Sequence, residues 1–183
     1  MLKILLTSLV LMTSLYAQSY NTSLKNFKAA KELKRYFNTA YAYAIYPNIG
    51  KGGLILGLSF GKGRIYEKGA YVGNSSMTSL SLGAQLGGQA YSKLIFFRNK
   101  EALERFKQGS MEYDAEVNAM AATAGAIVKS STIGATISAS TNAVNRKELK
   151  PSYYNDIAIV VQPVGGLMFE ASGGFENYSY SPK

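Results

Sequence analysis

The spacing of hydrophobic and polar residues changes along this chain, and each change marks a different element. Residues 1–17 begin with Lys3 and continue as an apolar run from Ile4 to Leu15, closing on Leu15-Tyr16-Ala17. A basic start, a short apolar stretch and a small-residue exit form the pattern of a secretory signal peptide, with cleavage expected after Ala17. The run falls short of the ~20 apolar residues that a membrane-spanning helix needs. Residues 22–38 then follow the α-helical period. Phe27, Ala29, Ala30, Leu33, Tyr36 and Phe37 share one side, Lys28, Lys31 and Arg35 centre the other, and Lys25 and Lys34 lie on its borders. Thr22 or Ser23 is placed to cap the first turn, and Leu24 falls among the polar positions.

From Ala40 the period becomes two. Tyr41, Tyr43 and Ile45 alternate with Ala42, Ala44 and Tyr46, and Pro47 is expected to stop this strand. Gly50-Lys51-Gly52-Gly53 and Gly73-Asn74-Ser75-Ser76 read as turns. Residues 54–60 and 64–72 read as strand segments bent or bulged at Gly61-Lys62-Gly63. Residues 77–90 and 91–97 read as further strands. A short helix follows: Asn99 caps it, Glu101 and Glu104 sit toward its positive end, Leu103 and Phe106 form its buried edge, and Gly109 ends it. Residues 111–118 alternate as a strand with an acidic face. Residues 119–144, rich in Ala, Ser, Thr and Gly, read as a small-residue hairpin turning near Lys129, ahead of a polar loop over 145–155. Residues 156–162 and 167–172 are expected as strands joined through Pro163-Val164-Gly165-Gly166, with a last Tyr-rich strand over 175–180. The expected fold is α+β and mainly β. It is an antiparallel, barrel-like sheet with an N-terminal amphipathic helix and one short internal helix, forming a single domain over 18–183 after the leader.

Composition narrows the chemistry. The 183 residues hold 20 Lys+Arg against 11 Asp+Glu, a net charge of +9, and the 47% hydrophobic content suffices for a core. Histidine and cysteine are both absent. Serine and cysteine triads, His/Cys zinc sites and disulfides are therefore impossible. No pair of carboxylates, tyrosines or lysines is spaced for catalysis, so neither a catalytic residue nor a cofactor is expected. The glycines make no P-loop, because Gly57 to Gly61-Lys62 leaves three residues where four are needed and Gly63 follows. Glu112, Asp114 and Glu116 share one side of their strand and could offer oxygens to calcium. With no loop to wrap an ion, pairing with lysines or plain solvation is the simpler reading, and no metal is expected.

Two basic features remain. Lys51, Lys62, Arg64 and Lys68 lie on or beside Gly-rich turns, where cations and backbone N–H groups can hold a phosphate. They can equally be a solvated edge that discourages strand-to-strand aggregation. The N-terminal helix either packs on the sheet with solvated lysines or docks on an anionic membrane, apolar face down.

Tyr43-Ala44-Ile45-Tyr46-Pro47, Gly50-Lys51-Gly52-Gly53, Gly57 and Gly61-Lys62-Gly63-Arg64 resemble the core of the SYLF-domain family. So do Gly83-Ala84-Gln85-Leu86-Gly87-Gly88-Gln89, the Ile95-Phe96-Phe97 strand, and Phe106-Lys107 before Gly109. The resemblance implies a lipid-binding module without catalytic activity. Its eukaryotic members bind phosphoinositides, some through a basic amphipathic N-terminal segment, and are linked to actin assembly. Its exported bacterial members are described as lipid-binding. Carried onto this chain, it makes Lys25, Lys28, Lys31, Lys34 and Arg35 the expected phosphate contacts and Phe27, Leu33 and Phe37 the expected apolar insertion. With an export signal, the expected ligand is an anionic phospholipid of a bacterial envelope, met in the periplasm or after secretion. Nucleic acid is not expected. The alternatives are an envelope structural or protein-interaction domain whose basic helix grips an acidic partner, and an outer-membrane β-barrel.

Overall fold

The computed structural model describes residues 19–53, 56–109, 136–138 and 153–183. The expected leader over 1–17, the expected acidic strand with Glu112, Asp114 and Glu116, and nearly all of the expected small-residue hairpin lie outside the described residues. The described elements are helix α1 (Tyr20–Ala29), a 3-10 turn (Lys31–Leu33), helix α2 (Lys34–Thr39), strands β1 (Ala42–Gly53), β2 (Leu56–Glu67) and β3 (Ala70–Phe97), helix α3 (Lys100–Lys107), and strands β4 (Thr136–Ser138) and β5 (Ile157–Pro182).

All pairings are antiparallel, and β1 and β2 form a hairpin from Ala42↔Glu67 to Gly53↔Gly57. Strand β3 first runs along β2, from Ala70↔Glu67 to Leu82↔Leu56. It then passes the hairpin tip and returns along β1, from Gly87↔Gly53 to Phe97↔Ala42. Strand β5 follows the whole of β3, from Phe97↔Ile157 to Gly73↔Pro182. The long β3–β5 ribbon therefore straddles the hairpin. Short β4 pairs with β5 beside that bend, Thr136 opposite Ser172.

Side chains from every long strand meet in one core, so the sheet curls as a barrel-like wall. Tyr46 and Ile49 of β1, Ile65 of β2, Met77 and Ile95 of β3, and Ile159 of β5 all belong to it. Helix α3 fills the opening: the Phe106 ring lies 4.9 Å from Phe97 and 5.0 Å from Tyr178. The Asn99 side chain caps α3 by accepting the Ala102 N–H at 2.9 Å, and Gly109 leaves the helix at φ +68°. These are the punctuation marks expected from sequence. Because β1, β3 and β5 alternate, Ile45, Leu94, Phe96 and Val160 point outward, where the N-terminal helices cover them. A membrane-spanning barrel would present an apolar band to lipid at such positions.

The sheet differs from the sequence expectation at its glycines and prolines. Pro47 does not end β1. The strand continues to Gly53 through a register shift between Ile45 and Asn48, and a bulge is where a residue without an N–H is tolerated. The Pro47 carbonyl accepts the Ser92 hydroxyl at 2.6 Å. Pro163 likewise sits at the register shift between Ala90 and Tyr91, so 157–182 is one strand where three were expected. Residues 50–53 and 73–76 are strand, not turn. The β2–β3 turn is Lys68-Gly69, both at positive φ (48° and 83°), as a two-residue hairpin with a primed turn requires.

Inside β2 the glycines make room for larger neighbours. A Cβ at Gly61 would lie 2.5 Å from Cγ1 of Ile49, and one at Gly63 would lie 2.5 Å from the Tyr46 ring. Tyr46 is fully buried and its hydroxyl shares a 2.6 Å hydrogen bond with Ser75 Oγ, so it has nowhere to go. Gly63→Ala is therefore expected to lower unfolding stability by about 1–3 kcal/mol, as overpacking does. Urea denaturation measures this, and an unchanged midpoint would contradict the packing described.

Candidate anion-binding cleft

The N-terminal segment is not one helix. Ser19, not Thr22 or Ser23, caps α1: its Oγ accepts the Thr22 N–H at 3.1 Å, while Ser23 is buried. Ala30 is extended (φ −73°, ψ 117°) and is followed by the 3-10 turn. The break has a packing reason. In a continuous α-helix, nine residues place Phe27 and Tyr36 half a turn apart, so the single apolar side expected over 22–38 cannot hold Phe27 and Tyr36 together on one unbroken helix. With the interruption, Phe27, Ala30, Leu33 and Tyr36 all reach the outer face of the sheet and are buried there. Leu24, out of place on an ideal helix, packs against the same cluster. Tyr36 lies 5.4 Å from the Phe96 ring, and Phe37 meets Phe96 edge-on at 5.0 Å.

The side chains expected to insert into a membrane face the sheet in this structure. Phe27 and Leu33 are wholly buried and Phe37 is half-buried, so their hydrophobic surface is committed to Phe96, Leu94 and Val160. The segment's cations point the other way. Lys25, Lys28, Lys31, Lys34 and Arg35 are all exposed, and none of them makes an ion pair among the described residues. The Arg35 guanidinium lies 4.8 Å from the Tyr36 ring centre and donates to its hydroxyl at 2.8 Å.

Lys28 and Lys34 turn toward a third cation. The Lys68 N–H donates to the Tyr41 carbonyl at 3.0 Å, which fastens the β2–β3 turn against the start of β1. Together these residues line a cleft of about 740 Å³, walled by Phe37, Tyr41 and Tyr43. Lys28 Nζ stands 5.6 Å from the Phe37 ring centre and Lys68 Nζ 5.3 Å from that of Tyr41. Among the described lining residues there is no carboxylate. Glu67, the acid next to Lys68, is not a lining residue; it accepts the hydroxyl of the wall residue Tyr41 and lies 4.0 Å from Lys107 Nζ. Three cations over aromatic walls can hold an anion that carries an organic body.

The four turn-associated cations do not form one site. Only Lys68 lines the cleft. Lys51 points inward opposite Ser59 and is 8% exposed, Lys62 is exposed on the outer face of β2, and the Arg64 guanidinium lies 4.2 Å from the Tyr20 ring centre. Sequence reasoning did not connect Lys28 and Lys34 with Lys68, and it overlooked Tyr41 and Tyr43. The Lys68-Gly69 pair was the available signal, as a short turn at the end of β2, which the β1–β2 hairpin sets beside the start of β1.

Two cleft tyrosines titrate above the ordinary phenol range. The carboxylate of Glu67, accepting its hydrogen bond, raises Tyr41. Burial, with a smaller contribution from the stacked Tyr66 ring, raises Tyr43 to about 12.

The fold is a β-rich domain that carries a basic, aromatic-walled cleft. Residues 78–172, just over half of the chain, match the Ysc84 family model, described as Las17-binding protein actin regulator. The chain belongs to this family, that of the SYLF domains. No curated protein and no solved structure matches it. The matched stretch holds most of β3, all of α3 and the first half of β5, whereas the cleft lies before it.

A raised phenol pKa in the fold means that stability is complete below the unfolded value near 10 and falls as pH rises toward 12. Unfolding midpoints between pH 8 and 11 are expected to fall above pH 10. Tyr43→Phe should fall less steeply than wild type while matching it at pH 8. Parallel curves would show that Tyr43 is not part of the effect.

Proposed function

We propose that the domain binds anionic lipid surfaces peripherally, using the cations of α1, α2 and the β2–β3 turn with the helices still seated on the sheet. The observation that carries this reading is the cleft itself, in which Lys28, Lys34 and Lys68 surround aromatic walls without a counter-charge among the described lining residues. Lys25, Lys31 and Arg35 extend the same basic surface. Cations close to an anionic membrane each contribute up to about 1 kcal/mol, so a handful supports reversible attachment. Among the described residues, no helix is long and apolar enough to cross a membrane. The leader-like sequence at 1–17 fits an exported protein meeting the phospholipids of a bacterial envelope.

A second reading has one observation in its favour. The family description names a protein partner, Las17. The same basic surface would suit an acidic protein segment, and no catalysis is called for in either case.

Co-sedimentation with vesicles of phosphatidylglycerol and phosphatidylcholine tests the lipid reading. Binding is expected to rise with the anionic fraction and to weaken with salt. The triple charge reversal Lys28→Glu, Lys34→Glu, Lys68→Glu should reduce it by more than tenfold, given about 1 kcal/mol per cation. Equal binding to neutral and anionic vesicles would contradict the electrostatic account.

A further inference from the structure

The outer face of the sheet is covered at one end by α1 and α2 and left open at the other. At the open end stand the large apolar side chains Leu56, Leu58, Phe60 and Leu80, which are 48%, 44%, 58% and 43% exposed. Leu58 and Leu80 are direct cross-strand partners, with Leu56 and Phe60 two residues to either side on β2. Side chains at such positions share one face and touch. On the β1 side, the partners of Leu58 and Phe60 are Gly52 and Gly50, both exposed, so among the described residues no side chain of β1 shields the stripe there.

This exposure is built into the strand. The alternate positions Gly57, Ser59 and Gly61 face the interior, where Ile49 leaves no space for even a Cβ at Gly61. A one-residue slip would exchange the faces and drive the two leucines and Phe60 into that filled space. An apolar cluster held outward at this cost to solubility marks an interaction surface. Along the same face of β2, the next residues are Lys62 and Arg64, both exposed. On β3, the outward residues beyond Leu80 are Thr78, Ser76 and Asn74, also exposed and uncharged.

Building on the anionic-membrane reading above, we propose that Leu56, Leu58, Phe60 and Leu80 enter the interface of an anionic bilayer, with Lys62 beside them at the phosphates. Apolar side chains bordered by cations suit that boundary, where acyl chain and phosphate lie within one side chain of each other. A second copy of the chain suits it less. Self-complementary pairing would bring cations of like sign alongside one another, and four side chains fall well short of the roughly 20–30 residues a side that a stable dimer uses.

The chain contains no tryptophan, so Phe60→Trp gives a single reporter in an exposed position. With vesicles of equal phosphatidylglycerol and phosphatidylcholine, its emission is expected to shift to the blue and to be quenched by bromine on the acyl chains. Lys100→Trp, exposed at the start of α3, should do neither. The double variant Leu58→Ser, Leu80→Ser, substituted at exposed positions, should keep the wild-type circular dichroism and bind these vesicles roughly tenfold more weakly. If wild type sediments with the vesicles while the emission of the Phe60→Trp variant is unchanged and the double variant binds normally, insertion is overturned and the electrostatic reading stands. Failure of wild type to sediment overturns both. A blue shift that grows with protein concentration without vesicles assigns the stripe to a second copy and overturns the proposal.

Discussion

The outer face of the sheet holds the N-terminal segment by its apolar side, and the placement of Lys25, Lys28, Lys31, Lys34 and Arg35 depends on that contact. Phe27, Leu33 and Tyr36 are buried against Phe96, Leu94 and Val160. Burial of such side chains is worth roughly 2 kcal/mol each. A bilayer would return about the same amount if the segment detached, so exchanging sheet for lipid brings no net hydrophobic gain. Detachment would also expose Ile45 and Phe96 to water. Charge attraction needs no such exchange, because the lysines already face outward. The physical balance favours a helix pair that stays seated on the sheet with its cations outward.

Much of this was legible in the chain. Alternation located the strands, Asn99 and Gly109 bounded α3, and the spacing of 22–38 identified Phe27, Ala30, Leu33 and Tyr36 as buried and the five cations as exposed. It misplaced Ala29, which is exposed, and Leu24, which packs on the sheet. The glycines and prolines misled, because they mark two different things. Gly61 and Gly63 are small so that Ile49 and Tyr46 can fill the interior, and Pro47 and Pro163 sit at bulges. Both uses depend on the neighbouring strand, which local sequence does not reveal. The break at Ala30 was hidden for a related reason. No glycine or proline marks it, and only the demand that Phe27 and Tyr36 reach the same surface explains it.

The candidate site shows the same division. Each cation was visible singly, but the grouping of Lys28, Lys34 and Lys68 depends on the β1–β2 hairpin, which brings the end of β2 and the turn after it beside the start of β1. Lys51 and Lys62 stand an odd number of positions apart on paired strands, and one faces inward while the other faces out. Strand β2 joins the two ends of the outer face, with the cleft beside its last residues and the open apolar stripe at its first. Over the stretch that matches the SYLF family, the chain supplies most of the long β3–β5 ribbon, and the N-terminal segment adds the exposed cations Lys25, Lys28, Lys31, Lys34 and Arg35.

Hydrogen exchange on the intact chain, free and bound to phosphatidylglycerol vesicles, tests the seated-helix account most directly. Backbone amides of α1 and α2 should keep their protection on binding, with added protection confined to the cleft rim and β2. Loss of protection across Phe27 to Phe37 together with newly exposed β1 amides would show that the segment leaves the sheet to insert, and would contradict the account.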